Sequence, residues 1–363
     1  MGQWSKLAFT AQQVAALSGL ALALAACAAV DMRAKPGPAS GGAPEVGGAR
    51  RPSQVWGYIP NFDTVEAWTS AEARSAALSG VSLFQYHLDS DGDLVAYPGM
   101  VERAAPRLPG LVVVPVIANS VVGGWNRELV AQALRDPAGR QHHVQEIVTL
   151  VVDEGYPAVE IDYENLSAAE REPYAAFVEE LATALHERNK ELAVAVHAKL
   201  VEPGEWGGPQ AQDWARIGAA ADRVIIMTYD YDPVRPSPIA PLDWTRNVLR
   251  LAVSLIPPAK VIQGIPLYGY DWAGTAPGAG RTYRELIAIA RAHNAELRRD
   301  ARDKHLVFDY TTETVKHQAS LVDAEAVGAL AAIGREVGVA GYALWRLGGE
   351  DPAIWSESGL PAP

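Results

Sequence analysis

A closed (β/α)8 barrel of the TIM type is the fold class this sequence predicts, on three observations. From Gln54 onward, short β-like runs alternate with helical apolar stripes, the pattern of a parallel sheet or barrel. The runs number eight, the count that closes such a barrel, and the roughly 310 residues they occupy suit one with insertions. The segment after the first run, Pro60-Asn61-Phe62-Asp63, is not the Gly-rich phosphate loop that a doubly wound open sheet, the competing α/β arrangement, would carry there.

The eight strands are read as Gln54 to Ile59, Val81 to Tyr86, Leu111 to Ile117, Ala158 to Glu164, Leu192 to His197, Arg223 to Tyr229, Lys260 to Leu267 and Val339 to Trp345. Val144, Ile147, Val148 and Val151 form a helical stripe before the fourth strand, and His142 and His143 are expected to precede that helix, exposed. After the strand, Ser167 with Glu170 reads as a capping box, followed by a stripe of Tyr174, Phe177, Val178, Leu181 and Leu185. Between the seventh strand and a helix over Asp323 to Val337 lies a longer excursion, about 269–321. Its helix-like run from Thr282 to Leu297 and strand-like Leu306 to Tyr310 predict a small α+β insertion. The few residues after Trp345 leave room only for a helical stub near Asp351 to Trp355.

The barrel is expected to occupy 53–363. Ahead of it, Lys6 and the apolar run Val14 to Ala26 have the form of a secretory signal, too short to span a bilayer comfortably. The run ends in Leu24-Ala25-Ala26-Cys27, which resembles a bacterial lipobox, with Cys27 as the lipid attachment site. Cys27 is also the only cysteine, so no internal disulfide competes for it. Residues 1–27 thus read as a lipoprotein signal, and 28–52, rich in Ala, Gly and Pro, as a flexible tether. The expectation is an exported protein, lipid-anchored to the cell envelope, at the outer membrane if the cell is Gram-negative because Ala28 rather than Asp follows the cysteine. The net charge of −12 argues against nucleic acid or an anionic membrane as the main partner, leaving the lipid anchor as the membrane contact and a monomer as the expected state. Ten Trp and thirteen Tyr against five Phe favour rings with a polar handle, suited to a wet groove.

The chemistry concentrates in Ala158 to Glu164. Period-two alternation puts Glu160, Asp162 and Glu164 on one face of the strand, and Val159, Ile161 and Tyr163 on the face toward the flanking helices. The acids therefore face the barrel interior. Crowding of like charges raises at least one carboxyl pKa, which suits a group that must hold a proton near neutral pH. Active sites of such barrels lie at the C-terminal ends of the strands. There the sequence offers Asp162-Tyr163-Glu164, Met227-Thr228-Tyr229-Asp230, Leu267-Tyr268-Gly269 and Trp345, an inventory that suits sugar rings. Trp125, Trp206 and Trp272, expected in loops after the third, fifth and seventh strands, read as further walls of the groove. His87 and His197 end strands. Without His-x-x-x-His or further cysteines, neither a metal nor any other cofactor is expected.

These motifs, in this order, resemble glycoside hydrolase family 18, the chitinase-like family. Asp162-x-Glu164 matches the end of its Asp-x-x-Asp-x-Asp-x-Glu motif, Met227-x-Tyr229-Asp230 its sixth-strand motif, Gly264-Ile265-Pro266-Leu267-Tyr268-Gly269 its seventh, and Trp345 its closing tryptophan. Ile161 to Leu166, Val196 to Lys199 and Leu344 to Gly348 resemble the bacterial spore-germination and cell-wall subgroup. Two positions depart: Pro157 and Glu160 stand where the longer motif has aspartates.

The resemblance implies a glycosidase acting on an N-acetylglucosamine-containing glycan, peptidoglycan or chitin-like, by a substrate-assisted retaining mechanism. It implies Glu164 as general acid and then base, Asp162 as the group that orients the sugar's acetamido nucleophile, and Tyr229 and Asp230 as its partners. Glu160, Trp345, Tyr58, Met227 and Tyr268 complete the expected substrate-binding set, with Trp345 as the floor beneath the ring. Met227 reads more readily as interior packing than as chemistry. A lectin that binds without cleaving and a metal-dependent deacetylase are the competing readings.

Overall fold

In a computed structural model the described residues are 53–361, apart from 63, 90–91, 99–107, 109 and 122–123. The signal-like run, Cys27 and the tether lie outside them. Eight parallel strands form the barrel: β1 (Gln54–Ile59), β2 (Gly80–Leu88), β3 (Val112–Ala118), β4 (Ala158–Asp162), β5 (Glu191–His197), β6 (Arg223–Met227), β7 (Val261–Pro266) and β8 (Gly341–Trp345). Each is parallel to its barrel neighbours, and β1 pairs with both β2 and β8, so the sheet closes into the (β/α)8 barrel, with a short strand, Leu94–Ala96, added antiparallel to the end of β2. Strand ends shift by one or two residues from the sequence reading, and two of these shifts fall at the site. β4 stops at Asp162 and β6 at Met227, two residues short of Glu164 and Tyr229, because alternation of side chains continues past the last ladder hydrogen bond.

The helices pack outside, beginning with α1 (Thr64–Ala73) and α2 (Arg127–Arg135). Asp136 caps helix α3 (Pro137–Asp153), accepting from the Gly139 N–H, and Pro137 starts it with a pre-set φ. This early start corrects the expectation for the histidine pair. Both lie inside α3, and His143 is buried, its Nε2 2.6 Å from the Tyr163 hydroxyl. Ser167 and Glu170 do form a capping box, opening a short 3-10 turn that runs into α4 (Arg171–His186). Between α3, α4 and the outer face of β4, the rings of His143, Tyr163, Tyr174 and Phe177 stack in one buried layer. Val159 and Ile161 fill the same outer layer, which leaves the barrel interior to Glu160 and Asp162.

The excursion after β7 folds as a five-stranded antiparallel sheet: Tyr268–Ala273, Ala279–Thr282, Arg298–Arg299, Leu306–Thr312 and Val315–Leu321. One helix, Tyr283–Ala292, packs on it behind a Thr282/Glu285 capping box. The sheet begins one residue after Leu267, so Trp272 is not in a loop. It is buried, with its indole N–H donating to the Pro233 carbonyl, which corrects its expected place as a groove wall. Among the described residues no helix is long and apolar enough to cross a membrane.

Removing the ring at the centre of the outer layer tests this packing. Phe177→Ala should cost about 3–5 kcal/mol in a urea unfolding curve. Val152→Ala, on the exposed side of α3, should stay within about 0.5 kcal/mol. Equal midpoints would show that the layer carries no stability.

Candidate active site

The site is built in layers up the barrel axis. Lowest is Glu160, 2% exposed, whose two oxygens accept from the Tyr58 hydroxyl at 2.5 Å and the Ser82 hydroxyl at 2.7 Å. Burial raises its pKa, against the pull of those two donors and of Arg223. Two residues further along β4 is Asp162, 5% exposed, with Oδ1 buried and without a hydrogen-bond partner among the described residues. Burial first, and the charge of Glu160 second, push Asp162 up to about 8. Glu164 follows beyond the ladder, its side chain 18% exposed. Its pKa is raised well above the usual carboxylate range, by burial first and then by Asp162 and Asp230. Three acids thus share a pocket that cannot keep all of them charged, and the pKa values of the upper two are raised together.

Around this column the other strand ends close in. Thr228 anchors the end of β6 by donating to the Gly264 carbonyl at 2.7 Å, and Tyr229 crosses over β7. A Cβ at position 264 would come within 2.9 Å of the Tyr229 ring and 2.8 Å of the Ile226 carbonyl, so only glycine lets the phenol lie there. Asp230, with a left-handed φ of 56°, turns its carboxylate toward the insertion, where Tyr268 and Tyr270 both donate to the same oxygen, Tyr270 at 2.7 Å. Trp345 ends β8 with its ring 5.3 Å from Tyr58 and 5.2 Å from Phe84, centroid to centroid. Trp125 packs against this inner cluster, and Met227 is buried within the barrel. Trp206, 48% exposed, leans on His197 at the end of β5.

The structure therefore brings Glu164, Asp162, Tyr229, Asp230, Tyr268 and Trp345 to one mouth, and sets Glu160 and Tyr58 in the layer below, bonded to each other. Sequence reasoning did not single out Ser82, Asn119 or Tyr270. The first lies inside an apolar run and carries no signal. Asn119 directly follows β3, where a search of strand ends finds it, and Tyr270 shares the face of Tyr268 by simple alternation. Asp93, His142 and Glu146 bring three possible metal-ligand atoms within 4.8 Å of one another, at the outer side of α3 and not among the strand ends.

An acid-lined barrel mouth walled by aromatic rings defines a glycosidase-type site. Residues 117–350, more than half of the chain, match glycosyl hydrolases family 18, and the chain belongs to that family. It is 27% identical over 296 residues to the cortical fragment-lytic enzyme of Bacillus subtilis, an alignment covering 79% of this chain and 68% of that one. The spore cortex-lytic enzyme SleL of Bacillus megaterium superposes with a TM-score of 0.76 at 25% identity, over 84% of this chain and 73% of that one. A chitinase from Chromobacterium violaceum does so with the same score and identity, over 84% and 98%. The chain is a glycosidase.

The raised carboxyls make a stability prediction. Asp162 binds a proton in the folded state at pH values where the unfolded chain has released it, so its contribution falls as pH rises from about 4 toward about 8. Asp162→Asn removes that buried charge. It should raise stability at pH 8 by about 1 kcal/mol or more, and have little effect at pH 4. Thermal scans at both pH values check this, and a gain independent of pH would contradict it.

Proposed function

We propose that this chain is an exported, lipid-anchored glycoside hydrolase that cleaves β-1,4-linked N-acetylglucosamine glycans by a substrate-assisted retaining mechanism. The observation that carries the reading is the buried Oδ1 of Asp162, unpartnered among the described residues, two positions along the chain from Glu164, whose pKa burial raises. Residues two apart on a strand put both carboxyls on the same side of a bound ring, about 6.5–7 Å apart at Cα. Two-carboxylate glycosidases place them on opposite sides of the anomeric carbon. A nucleophile from the substrate itself resolves that geometry. The 2-acetamido carbonyl attacks, Glu164 protonates the leaving oxygen, and Asp162 accepts from the acetamido N–H and stabilises the positive oxazolinium ring. Tyr229 donates to the acetamido oxygen, Asp230 steadies the sugar, and the −1 ring stacks on Trp345. Glu160 acts one layer down, through Asp162. Water activated by Glu164 then opens the ring with retention.

Peptidoglycan is the favoured glycan. The relatives named for spore cortex support it, as do the cell-wall-type motifs and the lipobox-like Leu24 to Cys27, which would hold the enzyme at the envelope. A lectin reading is disfavoured because Glu164 is present at the end of the strand motif.

Glu164→Gln should lower hydrolysis of an N-acetylglucosamine oligomer by about 10²–10⁴-fold, measured by product release. Undiminished turnover would remove Glu164 from the acid's role. Digestion of purified peptidoglycan followed by mass analysis should give N-acetylglucosamine at the new reducing ends. Muramic acid there would overturn the glucosaminidase assignment.

A further inference from the structure

The acid itself sits where the barrel's regular support has run out. The last paired residues of β4 are Asp162, opposite Ala118 of β3, and Ile161, opposite Val194 of β5. Glu164 lies past both ladders, and Asn165 after it takes a left-handed φ of 56°. A peptide in this position has donors and acceptors with no strand to meet them, and it would let the carboxyl wander.

Side chains from the two flanking strands meet them instead. Asn119, the residue after β3, is wholly buried. Its Nδ2 donates to the Glu164 carbonyl and its Oδ1 accepts from the Glu164 N–H, both at 2.9 Å. That reciprocal pair is the exchange two opposed residues make in an antiparallel ladder, here made by a side-chain amide. On the other side, Nε2 of His197 accepts from the Asn165 N–H at 3.2 Å. Both braces are themselves anchored. The Asn119 carbonyl accepts from the Asn126 N–H at 2.8 Å. The His197 N–H donates to Gln212 Oε1 at 2.7 Å, and its ring packs on Trp206 with centroids 4.8 Å apart. A Cβ at Gly208 would strike both of those rings, so the fit is close. Burial depresses His197 to about 4, which keeps it neutral, with its proton on Nδ1 and the Nε2 lone pair available. Nε2 is 3.9 Å from the Glu164 carboxyl, beyond hydrogen-bonding reach, so none of these bonds engages the acid's own oxygens.

We propose that Asn119 and His197 are positioning residues that extend the sheet by side chains past the end of β4 and hold the backbone of Glu164 in place for proton transfer. The inference rests on Glu164 being the general acid. It separates from a purely structural role by its dependence on the leaving group. A glycan oxygen needs a well-placed proton, whereas 2,4-dinitrophenolate leaves almost without one.

The test compares kcat/KM, which reports the bond-breaking step, for an N-acetylglucosamine tetramer and for the 2,4-dinitrophenyl glycoside of its disaccharide, using the full chain. Asn119→Ala should lose about 10²-fold on the tetramer, the scale of a misplacement near 1 Å, and only a few-fold on the aryl glycoside. His197→Phe should show the same contrast, and serves if Asn119→Ala does not fold. His197→Gln, which keeps an acceptor, should recover most of the tetramer rate. Equal losses on both substrates, or none on the tetramer, overturn the proposal. Glu164→Gln runs in parallel. If it shows the contrast and the brace variants do not, only the brace fails. If it cleaves the tetramer at the wild-type rate, the acid assignment fails.

Discussion

Three carboxyl groups on the inward face of one strand are the constraint around which this molecule is arranged. Period two stacks Glu160, Asp162 and Glu164 along the barrel axis, and a low-dielectric interior does not tolerate three adjacent negative charges. The structure resolves the conflict by treating them differently. Glu160 receives two hydroxyl donors and the distant help of Arg223. Asp162 receives none at Oδ1, and Glu164 is left partly open to the mouth. One acid is satisfied within the protein, and the upper two carry raised pKa values at the open end of the column. That division turns a destabilising cluster into a site.

The surrounding elements hold the division in place. The outer aromatic layer of His143, Tyr163, Tyr174 and Phe177 fixes which face of β4 points outward, and a one-residue slip would exchange the acids with Val159 and Ile161. The insertion contributes from the far side of the mouth. Its first strand supplies both phenols that bind Asp230, so its attachment immediately after β7 has a direct structural effect at the site.

Much of this was legible in the residues. The eight strands and their order could be read because apolar runs, caps and turns recur at barrel spacing, and the inward face of β4 followed from the stripes on either side. The misreadings have physical causes. Alternation outlasts the ladder in β4 and β6, so both strands end sooner than the pattern suggests, and the support past Asp162 comes from Asn119 and His197, residues distant in sequence. His143 falls inside its helix because Asp136-Pro137 starts it well ahead of the apolar stripe. Trp272 lies on a strand that follows β7 without a turn signal, so the sequence does not mark it as one.

The two departures from the family's strand motif come out differently once located. Pro157 is exposed at the opposite end of the barrel from the site, where its carbonyl accepts from the Glu191 N–H and its missing N–H costs nothing. An aspartate there would have no route to the chemistry. Glu160 is in the column itself, where its carboxylate accepts from Tyr58 and Ser82, so both of its oxygens are occupied. A buried charge satisfied in this way repels Asp162 without binding it. The result is an Asp162 that is protonated more readily and whose Oδ1 has no partner among the described residues.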